Sequence, residues 1–299
     1  MKKQWFYRLC LLMALALVLV ACGGNSENTP NNASDEGNAA ANNGNGAMDE
    51  GDDVAEGGLP DLGGREITVA IENAYLPFNY IRADTGEAGG WDYDALAAIC
   101  DLLNCTPVFQ EAAWEGMIQA VANGQFDMAA DGITITEDRK EIVDFSVGYI
   151  KIEQRILVRI DETRFASAEE LAADTSLIVG TQPGTTNYET AVELVGEDRI
   201  KGFEQFPFAV QALISGDVDA VLMDETAGQG YIGANAEQIK LVGESLSSDE
   251  LGFIFPKGSD LVEPFNAAIA ELEANGTMAT LAEKYFTDQF TLTYDDIAE

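Results

Sequence analysis

The chain has 299 residues, with 16 Lys and Arg against 52 Asp and Glu, a formal charge of -36 and no histidine. So dense a negative field repels polyanions and excludes nucleic-acid binding by phosphate neutralisation. Missing histidine removes the Ser-His-Asp and Cys-His catalytic sets, the helical zinc motifs and the usual near-neutral proton shuttle, and no cofactor or metal site is expected.

Residues 1–21 have a cationic start, an apolar run from Leu9 to Val20 and then the small residue Ala21. That run is too short to span a bilayer, and the order of parts predicts a signal peptide rather than an uncleaved anchor. Leu19-Val20-Ala21-Cys22 resembles the bacterial lipobox, which implies acylation of Cys22 and a lipid anchor to the membrane. Either way the rest of the chain is expected outside the cytoplasm. Residues 22–64 are rich in Gly, Asn, Ala, Asp and Glu and contain no aromatic residue. They cannot bury enough apolar surface to fold and are expected to form a disordered tether. The acidic run Asp49 to Asp53 lacks the spaced ligands of a calcium loop and is expected to be a solvated charge run. Once Cys10 leaves with the signal and Cys22 is lipidated, Cys100 and Cys105 remain. An exported compartment permits a bridge between them, the alternative being two reduced core cysteines.

From Arg65 onward the elements alternate. Glu66 to Ile71 reads as a strand and Asn73 to Pro77 as a loop carrying Tyr75. A helix starts near Trp91 and places Leu96, Ile99, Cys100 and Leu103 at i, i+3, i+4 and i+7. Pro107 to Gln110 reads as a strand, and Trp114, Met117, Ile118 and Val121 repeat the helical spacing. Phe126 to Ala130 is the next strand, followed by the small-residue loop Asp131, Gly132, Ile133, Thr134 and the cation Arg139. Backbone N–H groups, a hydroxyl and a two-pronged guanidinium are the parts of a carboxylate clamp, although the same residues also suit a strand, a turn and a surface arginine.

Ile156 to Ile160 is another strand, after which a second alternating set follows. It comprises strands at Ser176 to Val179, Lys201 to Phe203, Ala220 to Met223 and Ile239 to Val242. Helices are expected in Gly184 to Val195, Ala209 to Ile214 and Thr226 to Gly233. The chain then returns through Gly252 to Phe255 and two amphipathic helices, the first with Asp260 and Glu263 at capping-box spacing. Strands alternating with helices specify an α/β fold with mainly parallel sheets, and ligands of such sheets bind beyond the carboxyl ends of the strands. The loops there carry Glu72, Tyr75, Asp131, Gly132, Thr134, Arg139, Thr185, Thr186 and Asp224.

The runs Gly90-Trp91-Asp92-Tyr93-Asp94, Gly124 through Arg139, Asp144-Phe145-Ser146, Gly180 through Thr186 and Asp217 through Asp224 together resemble the bacterial extracellular solute-binding proteins of family 3. Those are the polar amino acid receptors of ABC importers. The resemblance implies a two-lobed periplasmic-binding-protein-like fold of type II, each lobe a mainly parallel sheet flanked by helices, joined by two hinge crossovers near Ile150 to Glu153 and Gly243 to Leu246. It divides the chain into a first lobe at 65–151, a second lobe at 152–245 and a return to the first lobe with C-terminal helices at 246–299.

The resemblance also assigns roles. Arg139 would bind the ligand α-carboxylate, helped by Thr134 and by the N–H groups of Thr185 and Thr186. Asp224, beside Gly132 and Thr134, would accept from the α-ammonium. Tyr75 and Trp114 would sandwich the ligand side chain, and Glu72 would face its tip. With Asp131, Glu72 makes two unmatched acids, which points to a cationic or amide side chain. The implied partners are a free amino acid and an ABC permease, the protein being a monomer and not an enzyme. The rival functions are a cyclohexadienyl-dehydratase-like enzyme on the same fold, with Glu72 or Asp131 as general acid, and a sensing module for a membrane signalling protein.

Overall fold

The structure, a computed structural model, describes residues 58–287 and 289–298, all within one compact unit, Asp53–Glu299. The signal peptide, Cys22 and all but the last residues of the tether lie outside the described residues.

The first strands are β1 (Arg65–Ile71), β2 (Ala74–Tyr75), β3 (Asn79–Ile81) and β4 (Ala88–Gly89), followed by helix α1 (Trp91–Leu103). Then come β5 (Cys105–Glu111), α2 (Met117–Ala122), β6 (Met128–Ala129), α3 (Glu137–Ile142) and β7 (Val143–Phe145). The long β8 (Ile150–Arg159) leads to α4 (Ala168–Ala173), β9 (Val179–Thr181), α5 (Thr186–Val195), β10 (Ile200–Gly202) and α6 (Phe206–Ser215). The chain continues through β11 (Ala220–Asp224), α7 (Glu225–Asn235), β12 (Ile239–Val242), β13 (Ser248–Leu251), β14 (Ile254–Pro256), α8 (Val262–Ala274) and α9 (Thr277–Tyr285).

Two main sheets result. The first has the order β5-β1-β6-β14-β7, and the second β10-β9-β11-β8-β12, with β13 paired to β8. Each is mixed rather than mainly parallel. The β5-β1-β6 and β10-β9-β11 pairings are parallel, whereas β14, β7, β8, β12 and β13 pair antiparallel. The parallel parts arise where helices connect the strands, and the antiparallel parts where the chain crosses between sheets. Both faces of the end of β1 are covered, so Val69, Ala70 and Ile71 are fully buried in succession, as is Ile67.

On α1 the predicted stripe of Leu96, Ile99, Cys100 and Leu103 is buried, and the helix packs against α8 and α9. A fully buried Leu or Ile of this kind contributes about 1.5–3 kcal/mol. Asn104 ends α1 in the left-handed conformation, its N–H donating to the Cys100 carbonyl. A disulfide joins Cys100 to Cys105 across that cap, with Cα atoms 4.6 Å apart.

Two features differ from expectation. The return strand is Ser248–Leu251, paired with Lys151, Ile152 and their neighbours on β8, rather than Gly243 to Leu246. Gly243 has φ of 71°, which breaks the extended chain and delays the crossing. The capping box at Asp260 and Glu263 is absent: Leu261 is the N-cap of α8, and the Asp260 carboxylate instead accepts from Arg65 at 2.8 Å. The helix starts one residue late for that box, which frees the acid for an ion pair.

Beyond α9 the chain folds back. Ile297 bridges to Arg82, the Ala298 N–H donates to Ile81, and Tyr294 stacks on Tyr231 of α7 with ring centroids 3.4 Å apart.

Candidate functional site

Parallel strands align their carboxyl ends, and the loops there converge on one cavity. Glu72 follows β1, Trp114 follows β5, and Asp131 with Gly132 follows β6. From the second sheet come Gln182 after β9, Thr185 as the N-cap of α5, Phe206 after β10, and Asp224 as the last residue of β11. The cavity is small, with a volume of about 30 Å³. The ten ligand residues singled out in the sequence line it, together with Gln182, Asn187 and Phe206. Gly132 carries φ of 58°, and a Cβ there would come within 2.7 Å of the Tyr75 ring. Only glycine lets the loop and the aromatic wall meet so closely.

One pole of the cavity is cationic. Arg139 lies in the first turn of α3, where its N–H donates to the Thr136 hydroxyl at 3.2 Å. Its guanidinium donates to the Thr134 carbonyl at 2.9 Å and to the Gly184 carbonyl at 3.2 Å, and stands 5.5 Å from the centre of the Trp114 ring. A guanidinium has five N–H donors, so these two bonds leave others for an anion. Burial pulls its pKa below the ordinary value, opposed by Glu189, Asp224 and Asp249. The Thr185 hydroxyl caps α5 by accepting from the Tyr188 N–H at 3.1 Å, which sets the free N–H groups of the first helical turn at the cavity. Thr134 and Thr186 bring their hydroxyls to 3.3 Å of each other.

The other pole is anionic. The Asp224 carboxylate accepts from the Tyr75 hydroxyl and from the Asn187 amide, the latter at 2.9 Å. Although Asp224 is the N-cap of α7, its side chain makes no cap bond and turns into the cavity instead. Burial pushes it up to about 6, against the lowering effect of the Tyr75 and Asn187 bonds. Tyr75 stacks between Phe78 and Phe206, which makes it an aromatic wall as well as a donor.

The floor is acidic. Glu72 accepts from the Trp114 N–H at 3.3 Å and from the Gln182 amide at 3.2 Å. Burial raises its pKa, while the Trp114 N–H and the Gln182 and Gln205 amides oppose the rise. Asp131 accepts from the Asn79 amide at 2.7 Å and from the Glu72 N–H at 3.3 Å. The same Asn79 amide donates to Asp92 at 3.0 Å. Asp131 therefore both lines the cavity and belongs to a network inside the first lobe. Burial drives it well above the usual carboxylate range, helped by Glu72 and Asp92, and burial lifts Asp92 to about 7. Oxygens of Asn79 and Asp92 in this network have no hydrogen-bond partner.

Gln182, Asn187 and Phe206 were missed in the sequence. Gln182 and Asn187 flank the predicted threonines, so their spacing along GTQPGTTN was a usable signal. Phe206 has none, because only packing against Tyr75 brings it in.

Residues 67–288 match the family of bacterial extracellular solute-binding proteins, family 3. The chain is 28% identical to an L-cystine-binding protein of Escherichia coli K12 over 74% of this chain and 82% of that one. It is 29% identical to an L-arginine-binding protein of Pseudomonas aeruginosa over 75% and 88%. Among solved structures, an ancestral arginine-binding protein bound to arginine is similar at a TM-score of 0.69 and 34% identity, covering 74% of this chain and 98% of that one. An ancestral amino acid-binding protein, a precursor of cyclohexadienyl dehydratase, is similar at 0.68 and 31%, over 74% and 95%. With two mixed sheets, crossing strands and a cleft lined from both, the fold is the two-lobed type II periplasmic-binding-protein fold. The chain belongs to the bacterial extracellular solute-binding proteins of family 3.

Proposed function

We propose that the protein is an extracytoplasmic receptor that captures one free amino acid between its lobes and delivers it to an ABC importer permease. The observation that carries this is the placement of Arg139 and Asp224 as opposite charges on one small cavity, with hydrogen-bond donors at the first and acceptors at the second. An α-amino acid zwitterion presents the complementary pair. Its carboxylate takes the free N–H groups of Arg139 and the start of α5, strengthened by charge on both partners. Its ammonium takes Asp224, displacing the Tyr75 hydroxyl. The names of the arginine- and cystine-binding relatives support the same class.

Tyr75, Trp114 and Phe206 form the apolar walls for the side chain, and Glu72 and Asp131 meet its tip. Two acids without a cation between them favour a basic side chain, because a cationic tip offsets the cost of burying their charge. Lobe closure through β8 and β13 excludes water from these bonds. In this proposal the lobes have the limits 65–151, 152–245 and 246–299, Cys22 anchors the mature protein through lipid, and the receptor works as a monomer without catalysis.

The test is a thermal-shift and calorimetric screen of the purified chain against the twenty amino acids and ornithine, since a ligand of the native state raises apparent stability by mass action. A rise for arginine, lysine or ornithine is expected, with none for glutamate. Tight glutamate binding with weak arginine binding would overturn the side-chain assignment. One observation favours a second function: Asp131 and Glu72 are carboxyls held above their ordinary range in a cleft, as a general acid requires. Turnover of prephenate or arogenate by the same preparation would establish it.

A further inference from the structure

Glu72 lines two cavities. Besides the inner one, it borders a second cavity of about 470 Å³ between the lobes. The partition between them is built by alternation along the start of α6, where Phe206 faces the inner cavity and Gln205, Pro207 and Phe208 face the outer one. The Gln182 amide donates to the Glu72 carboxylate at 3.2 Å, and Gln205 lines the outer cavity beside it. Glu72 thus stands at a doorway in that partition, its carboxylate held by the Gln182 amide.

The outer chamber has a defined chemistry. Among the described residues its lining includes Glu72, Glu111 and Asp295 and no Lys or Arg. Apolar surface from Ile81, Val210, Ile214 and Ile297 lies between the polar groups. The Tyr231 side chain, 2% exposed, lines the chamber, and its buried hydroxyl has no hydrogen-bond partner. One wall is the C-terminal segment carrying Tyr294, Asp295 and Ile297, which lies beyond residue 288, where the match to the family ends. A volume of this size falls within the usual range for small-molecule sites, about 300–1,000 Å³.

We propose that this chamber is a second ligand subsite, which takes a distal cationic group carried on a methylene stem longer than that of a plain amino acid. The proposal rests on the amino acid receptor function above. The zwitterion end occupies the inner cavity, the stem passes Glu72, and the terminal ammonium meets Glu111 and Asp295. The apolar residues cover the stem. The C-terminal segment makes this subsite a property of this chain rather than of the matched region alone.

The experiment is calorimetry on the full chain with L-lysine, L-arginine and two twins of equal length, Nε-(3-aminopropyl)-L-lysine and Nε-(3-carboxypropyl)-L-lysine. The ammonium twin is expected to bind at least tenfold tighter than the carboxylate twin. Gln211→Trp, at an exposed position of α6 bordering the chamber, should fill it. It should weaken the ammonium twin at least tenfold and leave lysine and arginine within about twofold. The pair Glu111→Gln and Asp295→Asn should bring the twins to within about threefold of each other, which serves if Gln211→Trp fails to fold. If lysine or arginine binds but the twins bind alike, or Gln211→Trp weakens short and long ligands equally, the outer subsite is wrong and the receptor function stands. If no amino acid binds at all, the receptor function falls and this subsite falls with it.

Discussion

The two faces of the cleft are built from the same kind of strand-end loop but hold different chemistry. The face from the first sheet carries Glu72, Asp131 and Arg139, with Asp92 behind them, all ionisable and largely buried. The face from the second sheet carries one acid, Asp224, already bonded by Asn187 and flanked by neutral groups, Gln182, Thr185 and Thr186. In the proposed receptor the parts common to every amino acid are therefore split between the faces, whereas the charge that selects the side-chain tip belongs to the first. A buried charge with no fixed partner is costly, so the first face is where a ligand can gain most by supplying the missing charge.

The largest break in this comparison is Arg139→Ala. It removes the only cation among the described residues that line the inner cavity, and two charge-assisted hydrogen bonds at about 1.5–3 kcal/mol each correspond to at least a hundredfold loss of affinity by calorimetry. Asp224→Asn comes next, with an expected loss of tens to a hundredfold for every ligand alike. Retention of affinity in either variant would mean the zwitterion is not held between these poles.

The pH dependence sharpens the contrast. Asp224 has its pKa raised to about 6 from 3.8, so its favourable contribution to native stability is present below about 4 and is lost as pH rises through about 6. The ligand ammonium needs the ionised carboxylate. Affinity should thus rise from pH 5 to pH 7, with proton release near pH 6 measurable as a buffer-dependent binding enthalpy, and Asp224→Asn should abolish the release. Asp131→Ser should raise the thermal midpoint of the ligand-free chain and lower the preference for arginine over glutamine several-fold, because it removes a buried acid from the first face only.

The smallest effects lie away from both faces. Replacing Cys100 and Cys105 by serine opens a short loop and should cost about 2 kcal/mol in denaturant unfolding. Ser167→Ala removes the cap that accepts from the Glu170 N–H and should cost about 1 kcal/mol, with no change in ligand affinity.

Much of this was legible in the linear chain. The period of Leu96, Ile99, Cys100 and Leu103 specified which face of α1 is buried, since 3.6 residues per turn stacks those positions. The strand-to-loop transitions put Glu72, Asp131 and Asp224 at strand ends, because an apolar run that stops at an acid usually stops at the sheet edge. Other features depended on contacts distant in sequence. Phe206 joins the cavity only by stacking on Tyr75, and Asp260 leaves its expected cap because Arg65 reaches it. Asp131 bonds Asn79, which in turn bonds Asp92, a chain of contacts that no periodicity encodes.

By itself, then, the sequence determined the α/β alternation, the buried helix faces, the family motifs and the charge types available to a ligand, all set by local spacing and composition. Only the tertiary structure decided which charges share a cavity, which acid stands at the doorway to a second one, and how residues 289–298 return to wall it. Those outcomes turn on sheet order and on packing between segments far apart in the chain, where the geometry of neighbours and not the identity of a residue selects its partner.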